Sequence, residues 1–140
     1  MHTLIVTAHP ESAALTHAIA RCIGEAIIAS DAANRVTHAD LMAEGFDPRF
    51  NMQDHALFRG TGATPADVAA EQARLEAADT LVLVYPLYWW SFPALLKGWI
   101  DRVFTQGWAY QDGADGKVQK KLQRLRVHLV GIGGAGADIL

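Results

Sequence analysis

Short apolar runs rich in β-branched residues alternate along this chain with amphipathic stretches, which predicts an α/β fold with a doubly wound parallel sheet. Four runs read as strands and three longer stretches as helices. The strongest strand, Thr80–Tyr85 (TLVLVY), is apolar on both faces, as a central parallel strand should be.

The elements follow in order. Thr3–Ala8 (TLIVTA) is stopped by His9–Pro10 and reads as a buried strand. From Ser12 to Ser30, Leu15, Ile19, Ile23 and Ile27 fall four apart and form one stripe of a helix, with Ser12 as candidate N-cap. Cys22 lies beside that stripe and reads as a buried structural thiol. Arg35–Ala39 (RVTHA) is a second, weaker strand. Leu41–Ala63 holds Gly45, Pro48, Gly60 and Gly62 with no sustained period, so it reads as a long loop. Thr64–Pro65 opens a helix to about Ala78, with proline at the first helical position where its missing N–H costs nothing. Pro93 starts a third helix, in which Leu95, Leu96, Trp99, Ile100, Val103 and Phe104 repeat at three and four. Its Asp101 and Arg102 read as a solvated or salt-bridged face. Arg126–Val130 (RVHLV) is the fourth strand, and the glycine-rich Gly131–Gly136 follows it.

Composition narrows the function. At 140 residues, with 51% hydrophobic and 19% charged, the chain makes one domain and excludes a disordered one. Twelve Lys and Arg against fifteen Asp and Glu give −3, which offers no basic footprint for nucleic acid and no polybasic membrane anchor. One cysteine cannot form an internal disulfide. No apolar run approaches the roughly 18 residues of a membrane span. MHTLIVTAHPES has neither a charged leader region nor a small-residue cleavage site. A cytoplasmic protein with no membrane insertion is expected. The six histidines show no metal-ligand spacing and no G-x-S-x-G elbow is present, so metal hydrolysis and acyl transfer are disfavoured and no metal ligand is assigned.

Ligands of open parallel sheets bind beyond the strand carboxyl ends, where strand order switches. Three strand ends carry unusual residues. Ala8-His9-Pro10-Glu11-Ser12 leads into a helix N-terminus, where open amides and the helix dipole suit a phosphate. Alternatively, Ser12 only caps the helix and His9 fills a turn. Tyr85–Phe92 holds five aromatic residues in eight, suited to a flat heterocycle or to a hydrophobic contact between subunits. Gly131-Ile132-Gly133-Gly134-Ala135-Gly136 matches G-x-G-x-x-G but lacks the following helix and acidic residue of a dinucleotide fingerprint. It reads instead as a turn that lets backbone approach a ligand.

The run Val84–Phe104 (VYPLYWWSFPALLKGWIDRVF) resembles the signature of the NAD(P)H:quinone oxidoreductase family, flavoproteins of flavodoxin-like fold. Glu71–Asp79 (EQARLEAAD), Gly107-Trp108-Ala109-Tyr110 and Ala8-His9-Pro10-Glu11 match in the same order. The resemblance covers nearly the whole chain and is densest from Val68 to Tyr110. It implies a three-layer α/β/α architecture that binds FAD, with FMN as the second choice. NAD(P)H would donate hydride, and a quinone-type acceptor would take it in ping-pong order. Carried over by residue, His9 contacts the flavin pyrophosphate with Leu15 and Thr16 nearby. Pro86, Leu87, Tyr88, Trp89 and Trp90 lie against the isoalloxazine ring, and Gly133 and Gly134 border its other side. Tyr110 lines the nicotinamide and quinone pocket from the partner subunit of a homodimer, so Trp89 and Tyr110 are the candidate catalytic contacts. Flavodoxins proper carry a Thr/Ser-rich phosphate loop after the first strand, which His9-Pro10-Glu11 is not.

Best-known family members have a Tyr and a His shortly after the Gly-Gly turn that are assigned a proton relay. The aligned Tyr position here is Ile139, and the His would fall beyond Leu140, so the resemblance does not carry that relay over. The fold it implies has five parallel strands in the order 2-1-3-4-5, whereas four are counted here. The expectation is a single flavodoxin-like domain, residues 1–140, lacking its last strand and helix. An ancillary regulatory subunit of a potassium-efflux system, a role some relatives resemble, is the alternative function. A flavin-free product that folds partially or only as a dimer is a third.

Overall fold

The computed structural model describes residues 1–134. In chain order the elements are β1 (His2–Thr7), α1 (Leu15–Ser30), β2 (Arg35–Asp40), α2 (Met52–Phe58), α3 (Ala66–Glu76), β3 (Thr80–Pro86), α4 (Ala94–Val103), β4 (Tyr110–Asp112), β5 (Val118–Lys120) and β6 (Arg126–Ile132). Gly136 and Ile139, on which the glycine fingerprint and the proton-relay comparison depend, lie outside the described residues.

Four strands form one parallel sheet in the order β2-β1-β3-β6. After β2 the chain crosses back over β1 to lay β3 on the far side, so strand order switches between β1 and β3. The period-two alternation of strands then sorts the core into two layers. Leu4 and Val6 of β1 and Leu81, Leu83 and Tyr85 of β3 face one way, against Leu75, Leu96, Trp99 and Val103. Ile5, Val82 and Val84 face the other way, against Ala20, Ile19 and Ile23 of α1. Fully burying each large side chain stabilises the fold by roughly 1.5–3 kcal/mol, which is why apolar runs of this kind become inner strands. The result is a three-layer α/β/α fold with a parallel, doubly wound sheet.

Several local expectations are corrected. α1 begins at Leu15, its N-cap is Ala14, and no side chain bonds the cap, so Ser12 does not cap it. The buried face of α1 is Thr16, His17, Ala20 and Gly24, while Leu15 is exposed and Ile19, Ile23 and Ile27 are half-buried. The stripe was therefore rotated by about one position, because small residues let α1 approach the sheet closely. Gly24 shows this: a Cβ there would sit 3.0 Å from the His38 ring. Cys22 is exposed rather than buried. Pro65 and Pro93 are N-caps rather than first helical residues.

The segment Leu41–Ala63 is not all loop. It contains α2, whose cap Asn51 accepts from the Gln53 and Asp54 amides while Asp54 accepts from the Asn51 amide. Arg102 is buried, not solvated. Its Nε donates to Asp54 at 2.9 Å, and its guanidinium nitrogens donate to Asp67 at 2.6 and 3.1 Å and to the Asp47 carbonyl. Asp101 does stay exposed, paired with Lys97. The antiparallel β4–β5 hairpin adds to the elements that the sequence predicts. Among the described residues no helix is long and apolar enough to cross a membrane.

Candidate functional site

Pairing of β1 with β3 and of β3 with β6 puts three strand ends side by side. Thr7 faces Val84, Val84 faces Val130, and Pro86 faces Ile132. The segments leaving those ends are Ala8–Ala14, Leu87–Phe92 and Gly133–Gly134. They gather at the switch in strand order, where a sheet of this kind binds ligands.

At the first end, the Glu11 amide donates to His9 Nδ1 at 3.0 Å. That occupies the Nδ1 lone pair and leaves Nε2 as the N–H donor of the neutral ring. His9 is half-buried. Its carbonyl lies 3.3 Å from Nε2 of buried His17, whose Nδ1 is 3.9 Å from Asp40 at the end of β2. His17 was missed in the sequence, where its buried position on α1 was hidden by the apparent apolar stripe. The first turn of α1 carries no acidic residue and no capping side chain. The His17 amide bonds the Ala14 carbonyl, while the amides of Leu15 and Thr16 have no acceptor among the described residues and, with the positive end of the helix dipole, suit an anion. Thr16 is buried in that turn, and Leu15 is exposed beside it.

The second end is built under strain. Tyr88 and Ser91 exchange backbone hydrogen bonds of 3.2 and 3.1 Å around Trp89 and Trp90. Both central residues have positive φ, 50° and 59°. A two-residue turn of this pattern favours Asn and Gly, because a side chain at positive φ crowds its own backbone. Holding two tryptophans there costs of order 1–3 kcal/mol each. Burial does not offset the cost, since Trp89 is 88% and Trp90 68% exposed. The rings lie 5.7 Å apart at 58°. The loop base is anchored: Phe92 packs edge-on against buried Tyr85 at 4.8 Å, and the Leu87 amide donates to the Ile132 carbonyl at 2.9 Å. Leu87 and Tyr88 are exposed, and Pro86 is half-buried.

At the third end, Gly131 makes room for Leu87, whose Cδ2 would stand 3.0 Å from a Cβ at that position. Gly133 and Gly134 are exposed, and a Cβ on Gly134 would meet nothing, so backbone there is accessible.

Tyr110 does not join this cluster. Trp108, two residues before it, donates to Glu76 at the C-terminal end of α3, beside the amino end of β3. Seven residues of β3 at about 3.3 Å each put that end about 20 Å from the tryptophan turn. Within one chain, the two candidate catalytic residues occupy opposite ends of the sheet.

Arg102 gathers charge at the C-terminal end of α4. The hydrogen bonds it donates to Asp67, then the one it donates to Asp54, raise its pKa, and Arg102 in turn lowers that of Asp67. Asp47 is held down to about 2, chiefly by the hydrogen bond from the Arg49 side chain. Two cavities, of about 500 and 480 Å³, lie away from the strand carboxyl ends. One is between α1 and β2 near Gly24 and His38, and the other is over the sheet near Thr80 and His128.

An open helix N-terminus, a strained aromatic wall and accessible glycine backbone side by side suit a ligand with a phosphate and a flat heterocycle. The arrangement defines a doubly wound α/β protein of flavodoxin-like architecture. A family model described as flavodoxin-like fold matches residues 1–139, and the chain belongs to that family. Among its relatives, rat NAD(P)H dehydrogenase [quinone] 1 is 34% identical over 123 residues, spanning 76% of this chain and 44% of the relative. The uncharacterized NAD(P)H oxidoreductase YcaK of Escherichia coli is 39% identical over 110 residues, spanning 78% of this chain and 55% of that one. The solved NAD(P)H:quinone oxidoreductase of Methanothermobacter marburgensis superposes with a TM-score of 0.88 at 27% identity, covering 100% of this chain and 70% of the other. The chain thus spans about half the length of the curated relatives it matches.

Proposed function

We propose that this protein is a flavin-dependent NAD(P)H:quinone oxidoreductase that works as a homodimer. The observation that carries the reading is the exposed Trp89–Trp90 turn, held at positive φ without packing, beside the uncapped N-terminus of α1. Such a turn costs stability and contributes only if a ligand covers it. Its flat rings suit a fused heterocycle and the open helix turn suits a pyrophosphate, which together fit FAD, with FMN as the second choice.

The chemistry a bound flavin supplies is hydride exchange in ping-pong order, from NAD(P)H to a quinone-type acceptor. The chain's own residues bind and orient. His9 donates from Nε2 to the pyrophosphate, and the first-turn amides around Leu15 and Thr16 add further donors. Pro86, Leu87, Tyr88, Trp89 and Trp90 form the wall along the ring system, and the backbone at Gly133 and Gly134 borders its other side. Tyr110 would close the substrate pocket of the partner subunit, since its own site is about 20 Å away. A cytoplasmic setting agrees with the absence of a membrane-crossing helix among the described residues.

Steady-state kinetics test the reading. With NAD(P)H and a soluble quinone varied together, double-reciprocal lines should be parallel. Trp89→Ala should lower flavin retention or turnover, and unchanged flavin content with unchanged rate would overturn the wall assignment.

A further inference from the structure

A buried histidine in the first turn of α1 makes contacts at the strand ends that the binding of a flavin, as proposed, leaves unused. His17 is only 8% exposed. Its Nε2 lies 3.3 Å from the His9 carbonyl, and its ring meets the His9 ring edge-on at 6.3 Å and 83°. On its other side, Nδ1 is 3.9 Å from the Asp40 carboxylate at the end of β2, beyond hydrogen-bond reach. The second oxygen of that carboxylate accepts from the Ala43 amide at 3.1 Å. Among the described residues, His17 is the one donor to the His9 carbonyl.

A carbonyl oxygen only accepts, so Nε2 of His17 carries the proton that joins the two residues. His9 is then held at both ends: the Glu11 amide donates to its Nδ1, and His17 donates to its carbonyl. The loop beyond it is tied by a turn bond from the Ala14 amide to the Glu11 carbonyl. The turn that carries His17 also carries Leu15 and Thr16, whose amides have no acceptor among the described residues. One side chain rooted in that turn and bonded to His9 therefore fixes the spacing between the His9 ring and the open amides. Donors held in place before a ligand arrives lose less freedom on binding it. A histidine that only filled the core would support the fold without favouring one ligand group over another.

We propose that His17 is a positioning residue for the phosphate end of the strand-end site, holding the His9 carbonyl so that His9 Nε2 and the Leu15 and Thr16 amides converge on one anion. The inference rests on the reading of this site as a flavin pyrophosphate site. It concerns the phosphates alone, because His17 touches the β1–α1 loop and the end of β2 and not the tryptophan turn.

The test compares His17→Gln and His17→Met in the full chain. The two replacements are of similar length, but only glutamine brings an N–H donor, and methionine adapts to irregular buried space. The probes are FAD, riboflavin, which has the ring without phosphate, and inorganic pyrophosphate, followed by the Leu15 and Thr16 amide signals. His17→Met should weaken FAD and pyrophosphate about fivefold to tenfold, the worth of one hydrogen bond, and leave riboflavin within about twofold. His17→Gln should recover most of the loss. Equal weakening of FAD and riboflavin by His17→Met, or unchanged affinity for FAD and pyrophosphate, would overturn the proposal. A wild-type chain that binds pyrophosphate and no flavin would overturn the flavin reading alone, and the pyrophosphate comparison would still decide the role of His17. Should His17→Met fail to fold, the ring nitrogen signals of wild-type His17 decide. A proton on Nε2 with and without FAD supports the proposal, and a proton on Nδ1 alone contradicts it, because the His9 carbonyl then has no donor.

Discussion

Trp89 and Trp90 carry the residue-scale argument. Their side chains are largely in solvent while their backbones sit in a region that glycine occupies freely. Function and stability are therefore opposed at these positions. Replacing Trp89 with Gly should raise the stability of the ligand-free chain by about 1 kcal/mol, read as a higher denaturant midpoint. The same variant should hold flavin less well. A lower midpoint would show that the ring makes stabilising contacts in the free protein. The aromatic density of this loop was legible in the sequence, because five rings in eight residues exceed what a surface loop needs. Its backbone strain was not. Positive φ follows from the reciprocal bonds between Tyr88 and Ser91, which the preference of tryptophan for extended backbone argues against. The exposure of Cys22 was equally hidden, since a helix stripe read from large apolar residues ignores the close approach that Gly24 permits.

At the scale of elements, the strands were legible and the short pieces were not. β1 and β3 announce themselves by burial on both faces, which requires continuous apolar runs. α2 has seven residues, too few for an apolar period, and only its Asn51–Asp54 cap pattern marked it. Asn51→Ala should cost about 1 kcal/mol in urea unfolding, because it frees the Gln53 and Asp54 amides. The three-residue strands of the β4–β5 hairpin carry mainly exposed polar residues and give no alternation to read. Of the two readings the sequence leaves open for Arg102, solvated or salt-bridged, the structure takes the second, and its burial was hidden because α2, α3 and the Asp47 carbonyl converge on it from distant parts of the chain. Arg102→Met should destabilise the fold by about 3–5 kcal/mol, since it leaves Asp54 buried and unpaired. A loss below 1 kcal/mol in the same assay would mean that the cluster relaxes into water.

Charge and symmetry act on the whole molecule. The carboxyls of Asp47 and Asp67 are both held below their ordinary pKa, the first by Arg49 and the second by Arg102. A carboxyl so lowered binds its proton later in the folded state than in the unfolded one. Its contribution is complete above the ordinary value of about 4 and is lost as pH falls toward the folded value. For Asp47 that lower limit is about 2. Stability should therefore fall between pH 5 and pH 2, and Asp67→Asn should flatten the slope of midpoint against pH. Symmetry bears on catalysis. With Trp89 and Tyr110 at opposite ends of one sheet, a site that uses both draws Tyr110 from a second copy. Mixing Trp89→Ala with Tyr110→Ala chains should restore turnover above either variant alone, because one of the two sites in a mixed dimer is intact. Equal inactivity of all three samples would count against a shared site.

The central claim, that the strand carboxyl ends hold a flavin that accepts hydride from NAD(P)H, is tested most directly by an anaerobic half-reaction. The chain is loaded with FAD or FMN, freed of excess, and titrated with NAD(P)H while the visible flavin band is followed. The account predicts retained flavin, bleaching of the band by one equivalent of NAD(P)H, and its return on adding a quinone. A protein that retains neither flavin, or a bound flavin that NAD(P)H leaves oxidised, would contradict it.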